Sequence, residues 1–237
     1  MEFMRNVAIA FEHGGIWMWL ILAFKVASIA IIIERAVALF GKRKTGEVAL
    51  VNSFEENVRR GEFDVVMQKA EAAKATSPVA RAVAAGAAAA RNFGGREEIQ
   101  GKMDEVLLHE NALLDKRVGF LAMLGNVATL TGLLGTISGM IKSFAAVAGA
   151  NAAEKASLLA AGIAEAMNAT AFGLIVAIPA LVAYAIYQNR INVLAEDMNQ
   201  AALKAFNWLS FSYDPISTKA QVGKTGRQAA REPELNA

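Results

Sequence analysis

Glu165, Asn168 and Thr170 stand in GIAEAMNATAFGLIVAIPA, residues 162–180, a run that is otherwise apolar up to Pro179. A carboxylate at membrane depth costs about 2.5–3.5 kcal/mol and usually faces protein or a water-filled path. Glu165 is therefore a candidate for work on protons or cations, with an interfacial position near the outer end of its helix as the plain alternative. Thr170, and Thr136 in the preceding apolar run, offer hydroxyls that both donate and accept hydrogen bonds. Such hydroxyls either line a wet path or bond back to carbonyls of their own helix. Lys25 is the other costly residue, in the middle of the first apolar run. Its ammonium either snorkels to a headgroup or pairs with a carboxylate on a neighbour.

Other chemistries find no residues to carry them. The chain has no cysteine, which excludes disulfides, thiolate catalysis and Cys-ligated metals. There is no HExxH and no intramembrane aspartate pair, and His13 and His109 are isolated outside the apolar runs. GTISGMIK, residues 135–142, lacks the Gly-Lys-Ser/Thr ending of a phosphate loop. The sequence predicts neither an enzyme nor a bound metal or cofactor. A net charge of +2, with acids and bases mixed, gives a nucleic-acid role no support.

The elements that must position these residues follow from hydropathy. Apolar runs at Ile16–Ile33, about Phe120–Val147 and Leu158–Tyr187 each exceed or approach the roughly 20 residues that a helix needs to cross a bilayer. The first is followed by Glu34-Arg35 instead of a small-residue cleavage site, and so reads as an anchor. Basic residues Arg35, Lys42, Arg43, Lys44, Lys116, Arg117 and Arg190 flank one side of the three spans, while the 2–3 connection holds only Lys142 and Lys155. That asymmetry puts the N-terminus outside and the C-terminus in the cytoplasm.

The expected organisation is an interfacial lead-in over 1–15, membrane helices over 16–40, 118–147 and 158–188, and a short outer loop over 148–157. A cytoplasmic helical region occupies 41–117, a helical extension 189–212 and a disordered tail 213–237. Trp17 and Trp19 fall where an aromatic belt is expected. Gly61, Ser77-Pro78 and Gly94-Gly95 break the cytoplasmic region into short helices. Ser77 caps an alanine-rich segment with proline at its first helical position, suited to the inside of a bundle. Ile99, Met103, Val106, Glu110 and Leu113 keep helical spacing with no breaker before the membrane, so the second membrane helix is expected to begin deep in the cytoplasm. The third runs on through Ile191, Leu194, Met198, Ala202 and Phe206. The fold class is an all-α membrane protein in which helices 2 and 3 extend into a cytoplasmic helical bundle.

Two seams run along those helices. Gly125, Thr129, Gly132, Thr136, Gly139 and Ser143 recur at spacings of four and three and share one narrow face. Gly162, Glu165, Ala166, Ala169, Thr170, Gly173, Ala177 and Ala180 share a broader face of the third helix. Close backbone approach is the first reading for the glycines and alanines. For the threonines, packing and pore lining stay open.

GLLGTISGMIKSF with GIAEAMNATAFGLIVAIPA, and IIIERAVALFGKR after the first helix, resemble the motifs of the MotA/TolQ/ExbB proton-channel family. The three-span layout is similar to its ExbB/TolQ branch. The resemblance implies a homopentamer in the bacterial inner membrane, whose second and third helices surround a pore. Two copies of a single-span ExbD/TolR-like partner with a membrane aspartate would occupy that pore. By motif it implies that Thr136, Glu165 and Thr170 line the ion pathway; Gly125, Thr129, Gly132, Gly139, Ser143, Ala169, Gly173 and Ala177 are, from the seams themselves, candidates for pore lining or helix packing. It assigns no role to Lys25. The family often has a proline in the stretch before GLxGT; here that stretch is NVATLTGLLGT, with Thr129 or Thr131 nearby instead. Family members convert proton motive force into work in import, envelope maintenance and gliding motility. The residues alone also admit a passive oligomeric scaffold that recruits cytoplasmic proteins.

Overall fold

A computed structural model of the chain describes residues 15–42, 46–92 and 95–211. The interfacial lead-in, apart from Gly15, and the 213–237 tail lie outside the described residues. All regular structure among the described residues is helical: α1 Gly15–Ala36 continuing into a π-helical stretch Val37–Lys42, α2 Glu47–Asn52, α3 Glu55–Arg59, α4 Phe63–Ala73, α5 Pro78–Arg91, α6 Arg96–Asp115, α7 Val118–Ala148 and α8 Ala152–Phe211. Long apolar helices able to cross a membrane occur at Ile16–Gly41, within Arg96–Ala148 and within Ala153–Ser210. The protein is thus an all-α membrane protein with three spanning helices. Two compact units share the chain: Met1–Lys42 with Asp115–Asn192, and Arg43–Leu114 with Val193–Ala237.

In the first unit α1 packs along α7. Ile21, Ala128 and Val176, one from each membrane helix, form a buried cluster against which Phe24 and Phe172 pack. The end of α1 is fastened by polar groups that a hydropathy plot does not register. Arg117 donates to Glu34 across 2.7 Å, and Arg35 reaches the same carboxylate at 3.1 Å. The Tyr187 hydroxyl donates to the Ile32 carbonyl at 2.9 Å, and the Arg190 guanidinium lies 5.5 Å from the centre of the Phe40 ring.

The expectation of an unbroken helix from about residue 96 into the membrane is corrected. α6 ends at Asp115 and α7 begins at Val118, with Arg117 at φ 65. A left-handed residue cannot continue the helical hydrogen-bond ladder, and glycine, the usual occupant, is absent here, so hydropathy and spacing gave no warning. At the other end α8 starts at Ala152, inside the segment expected as the 148–157 loop. It accommodates Pro179, whose missing N–H leaves the Ile175 carbonyl without its usual helical donor.

The second unit is a helical bundle around α5. Ser77 accepts from the Ala80 amide at 3.0 Å, the cap expected from the sequence, and most of α5 is buried, including Val79, Val83, Gly86 and Ala87. Gly86 gives room to Met103 and Leu209, whose side chains stand where a Cβ would be. α2 has no cap of its own: the Asp197 carboxylate of α8 accepts from the amides of Gly46 and Glu47 at 2.8 and 3.1 Å. Glu110, only 2% exposed, meets Arg81 at 3.0 Å, so the acid within the apolar spacing of α6 is an interior ion-pair partner.

Ser77→Ala is expected to destabilise the protein by about 1 kcal/mol through the lost cap. Arg81→Met, which leaves the buried carboxylate without its guanidinium, is expected to cost about 3 kcal/mol. Arg81→Met with Glu110→Met recovers most of that loss. Thermal unfolding of the detergent-solubilised variants measures all three.

Candidate functional site

The site is a line of glycines that lets two membrane helices touch backbone to backbone. On α7, a Cβ at Gly132 would lie 3.0 Å from the Ala169 carbonyl oxygen and 3.2 Å from Thr170 Cα. On α8, a Cβ at Gly173 would lie 2.8 Å from the Ala128 carbonyl oxygen and 3.1 Å from Gly132 Cα. Gly125 faces Leu181 and Ala177, and Gly139 faces Ala166, extending the contact in both directions. Small residues at such spacings are what membrane helices use when no hydrophobic drive favours association. Gly125, Gly132, Gly139, Ala169, Gly173 and Ala177 are all buried in this seam.

Close approach brings Thr136 and Thr170 together. Their hydroxyls are hydrogen-bonded to each other. Thr136 Oγ1 also lies 3.1 Å from the Ala166 carbonyl across the seam and 3.3 Å from the Gly132 carbonyl of its own helix. Thr170 Oγ1 lies 3.2 Å from that same Gly132 carbonyl. Each hydroxyl owns one proton, and between them they meet two carbonyls and one another, so not every contact can be filled at once. The pair can therefore reverse its donor direction by rotating hydroxyls without moving a helix. That is the property required of a group that orients water or passes a hydrogen bond along a path.

Other seam hydroxyls are occupied locally. Thr129 donates to the Gly125 carbonyl at 3.1 Å, and Ser143 to the Gly139 carbonyl at 2.8 Å. Ser143 is also lodged where Gly162 lacks a side chain, since a Cβ there would fall 1.6 Å from its Oγ. Glu165 is half-buried and is not drawn into the threonine pair. At 100° per residue it lies 140° from Thr170, the two flanking the buried stripe of Ala166, Ala169 and Gly173 on opposite edges. Lys25 is exposed on α1, its backbone carbonyl accepting from the Ser28 hydroxyl at 2.9 Å.

Sequence reasoning missed Gly135. A Cβ there would meet Ala169 Cβ at 2.7 Å and Trp17 Cβ at 3.5 Å, so this glycine joins α1 to the seam. It sits off the four-three series, and its signal was the second glycine of GLLGT. Thr131 was noticed only as a departure from a motif, yet it is buried and bonds back to the Val127 carbonyl at 2.8 Å. The exposed backs of the two helices, Leu133, Ile137 and Ile141 on α7 and Met167, Leu174 and Ile178 on α8, are apolar.

Three spanning helices, two of them joined along a glycine seam that holds a hydroxyl pair, define an all-helical membrane protein. The chain belongs to the MotA/TolQ/ExbB proton channel family, whose sequence profile matches residues 74–200. It is similar to the Tol-Pal system protein TolQ of Haemophilus influenzae, 30% identical over 201 residues covering 75% of this chain and 80% of that protein. It is also similar to the biopolymer transport protein ExbB of Pseudomonas putida, 31% identical over 121 residues, or 51% of this chain and 36% of that one. Among solved structures, C. jejuni MotAB matches with a TM-score of 0.53 over 84% of this chain and 86% of that chain. At 17% identity that likeness concerns the fold alone. The resemblance read from the two membrane motifs is thereby established at the level of the family.

Gly173→Ala places a methyl group against the Ala128 carbonyl and is expected to destabilise the protein by about 1–3 kcal/mol. Gly119→Ala, in the same helix pair but with open space at its Cβ, is expected to be neutral or slightly stabilising. Parallel melting curves in detergent distinguish a packing effect from the general effect of adding alanine.

Proposed function

We propose that the protein is the channel-forming stator subunit of an ion-driven motor in the bacterial inner membrane. It assembles as a homopentamer around two copies of a single-span, ExbD/TolR-like partner, and together they convert proton motive force into work on the periplasm or outer membrane. The observation that carries this reading is the reversible hydroxyl pair, Thr136 with Thr170, set beside the contact of Gly132 with Gly173 between two glycine-bearing membrane helices. A partner aspartate brought to that level meets hydroxyls able to donate to it when it is ionised and to accept from it when it is protonated. Protons enter from outside along the partner aspartate. Glu165, about one turn nearer the start of α8 than the pair, adds negative potential at the entrance and attracts cations. The N-terminus and the α7–α8 connection face outward, and the helical bundle and C-terminus face the cytoplasm, as the basic residues direct. Import, envelope maintenance and gliding motility are all outputs that suit such a subunit. No enzymatic step is required of this chain.

Thr170→Val keeps the shape of the side chain and removes only the hydroxyl, while Glu165→Gln removes only the charge. Both are expected to preserve the complex, judged by size and subunit ratio after purification from native membranes. Proton entry into vesicles carrying the complex is expected to fall to background for Thr170→Val and to slow for Glu165→Gln. Unchanged proton entry in both variants would sink the motor reading and leave a passive scaffold in its place.

A further inference from the structure

Lys25 is the one charged residue of the first apolar run, and the ion pathway makes no use of it. It is nine residues from Ile16 and eight from Ile33, or about 12–14 Å from either end of the run at 1.5 Å per residue. The four methylenes of a lysine reach roughly 6 Å, so snorkelling leaves the ammonium inside hydrocarbon. The structure places Lys25 exposed beside the packed face of α1, next to the uncovered apolar strip of Val26, Ile29 and Ile33. An intramembrane cation is retained when a partner or a wet cavity meets it.

No carboxylate of this chain's described membrane helices stands at its level. α7 contains neither Asp nor Glu, and between Leu158 and Asn192 α8 contains only Glu165. Trp17 and Ala169 meet at Gly135 and so share one depth. From that level Lys25 is eight residues further in and Glu165 four residues further out, a separation of about 18 Å. Glu34 is nine residues along α1, about 14 Å away, and is held by Arg117 and Arg35. Further copies of the chain do not alter this. In a closed ring whose axis follows the membrane normal, equivalent residues share one depth, and a neighbour's Glu165 is offset by the same distance.

We infer that the α1 face around Lys25 docks a membrane helix of a different protein, one that carries an aspartate or glutamate level with Lys25. Charge complementarity selects that occupant over an apolar helix, lipid or a second copy. Its acid is distinct from one placed at the Thr136–Thr170 pair, which is level with Trp17 and about 12 Å further out. This inference goes beyond the proposed motor function and does not require the seam to conduct protons.

The test places a photo-crosslinking phenylalanine analogue at Ile29 of the full chain in native membranes, in three backgrounds: Lys25, Lys25→Arg and Lys25→Met. The expected result is an adduct with one other membrane protein, mapping to a spanning helix that contains an Asp or Glu. That adduct persists with Lys25→Arg, disappears with Lys25→Met, and disappears when the captured helix's acid is changed to its amide. Lys25→Met removes an intramembrane charge, and an unchanged melting temperature shows that loss of the adduct is not unfolding. Adducts formed only with lipid or with copies of this chain, an adduct that survives Lys25→Met, or a captured helix without an acid would each overturn the inference. So would capture of a helix whose acid also crosslinks at the Thr136–Thr170 seam.

Discussion

The absence of side chains at Gly132 and Gly173 is the constraint on which the membrane unit depends. Each glycine faces backbone atoms of the opposite helix, with the nearest positions at 2.8–3.2 Å from where a Cβ would stand. At that separation Thr136 reaches a carbonyl of α8 and Thr170 a carbonyl of α7. Wider spacing would leave both hydroxyls to bond only within their own helices, as Thr129 and Ser143 do. Packing and chemistry are thus one feature: the same small residues that bring the helices together create the only described place where hydroxyls from two helices share acceptors.

A second principle operates at the helix ends, where polar groups settle what hydrophobic burial leaves undecided. Apolar surface does not specify where α1 should stop relative to its neighbours. The Glu34–Arg117 pair, the Tyr187 hydroxyl on the Ile32 carbonyl, and Arg190 over Phe40 do so with directional contacts. In the other unit, Asp197 caps a helix far away in sequence, which gives a six-residue element a fixed start that its own residues do not provide. A helix that short has little stability alone and depends on such contacts.

Much of this was legible in the residues. Periodicity and length gave the three spans, Ser77-Pro78 gave the start of α5, and the four-three spacing of small residues gave the face on which α7 meets α8. What the sequence could not give were facts of three-dimensional adjacency. Arg117 carries no local mark of a left-handed conformation, so spacing predicts continuous helix where the chain breaks before α7. Glu110 keeps an apolar stripe's spacing because its partner lies on another helix, and Gly135 falls outside the four-three series because it meets α1 as well as α8, standing against Trp17 and Ala169. On α8 alone, Glu165 and Thr170 fall on one broad face. The burial of the stripe between them separates them onto its two edges.

The lodging of Ser143 against Gly162 has a mechanical meaning. Together with the glycine contacts below it, it acts as a detent: sliding α7 by one residue along α8 would drive a hydroxyl into backbone and a methyl into a carbonyl. The two helices therefore form a stiff stave. Compliance has to be found at the smooth apolar backs of the pair, where Leu133, Ile137, Met167 and Ile178 present no notches. A barrel built from such staves would hold its wall rigid while whatever it encloses moves, as a bearing race does around its shaft.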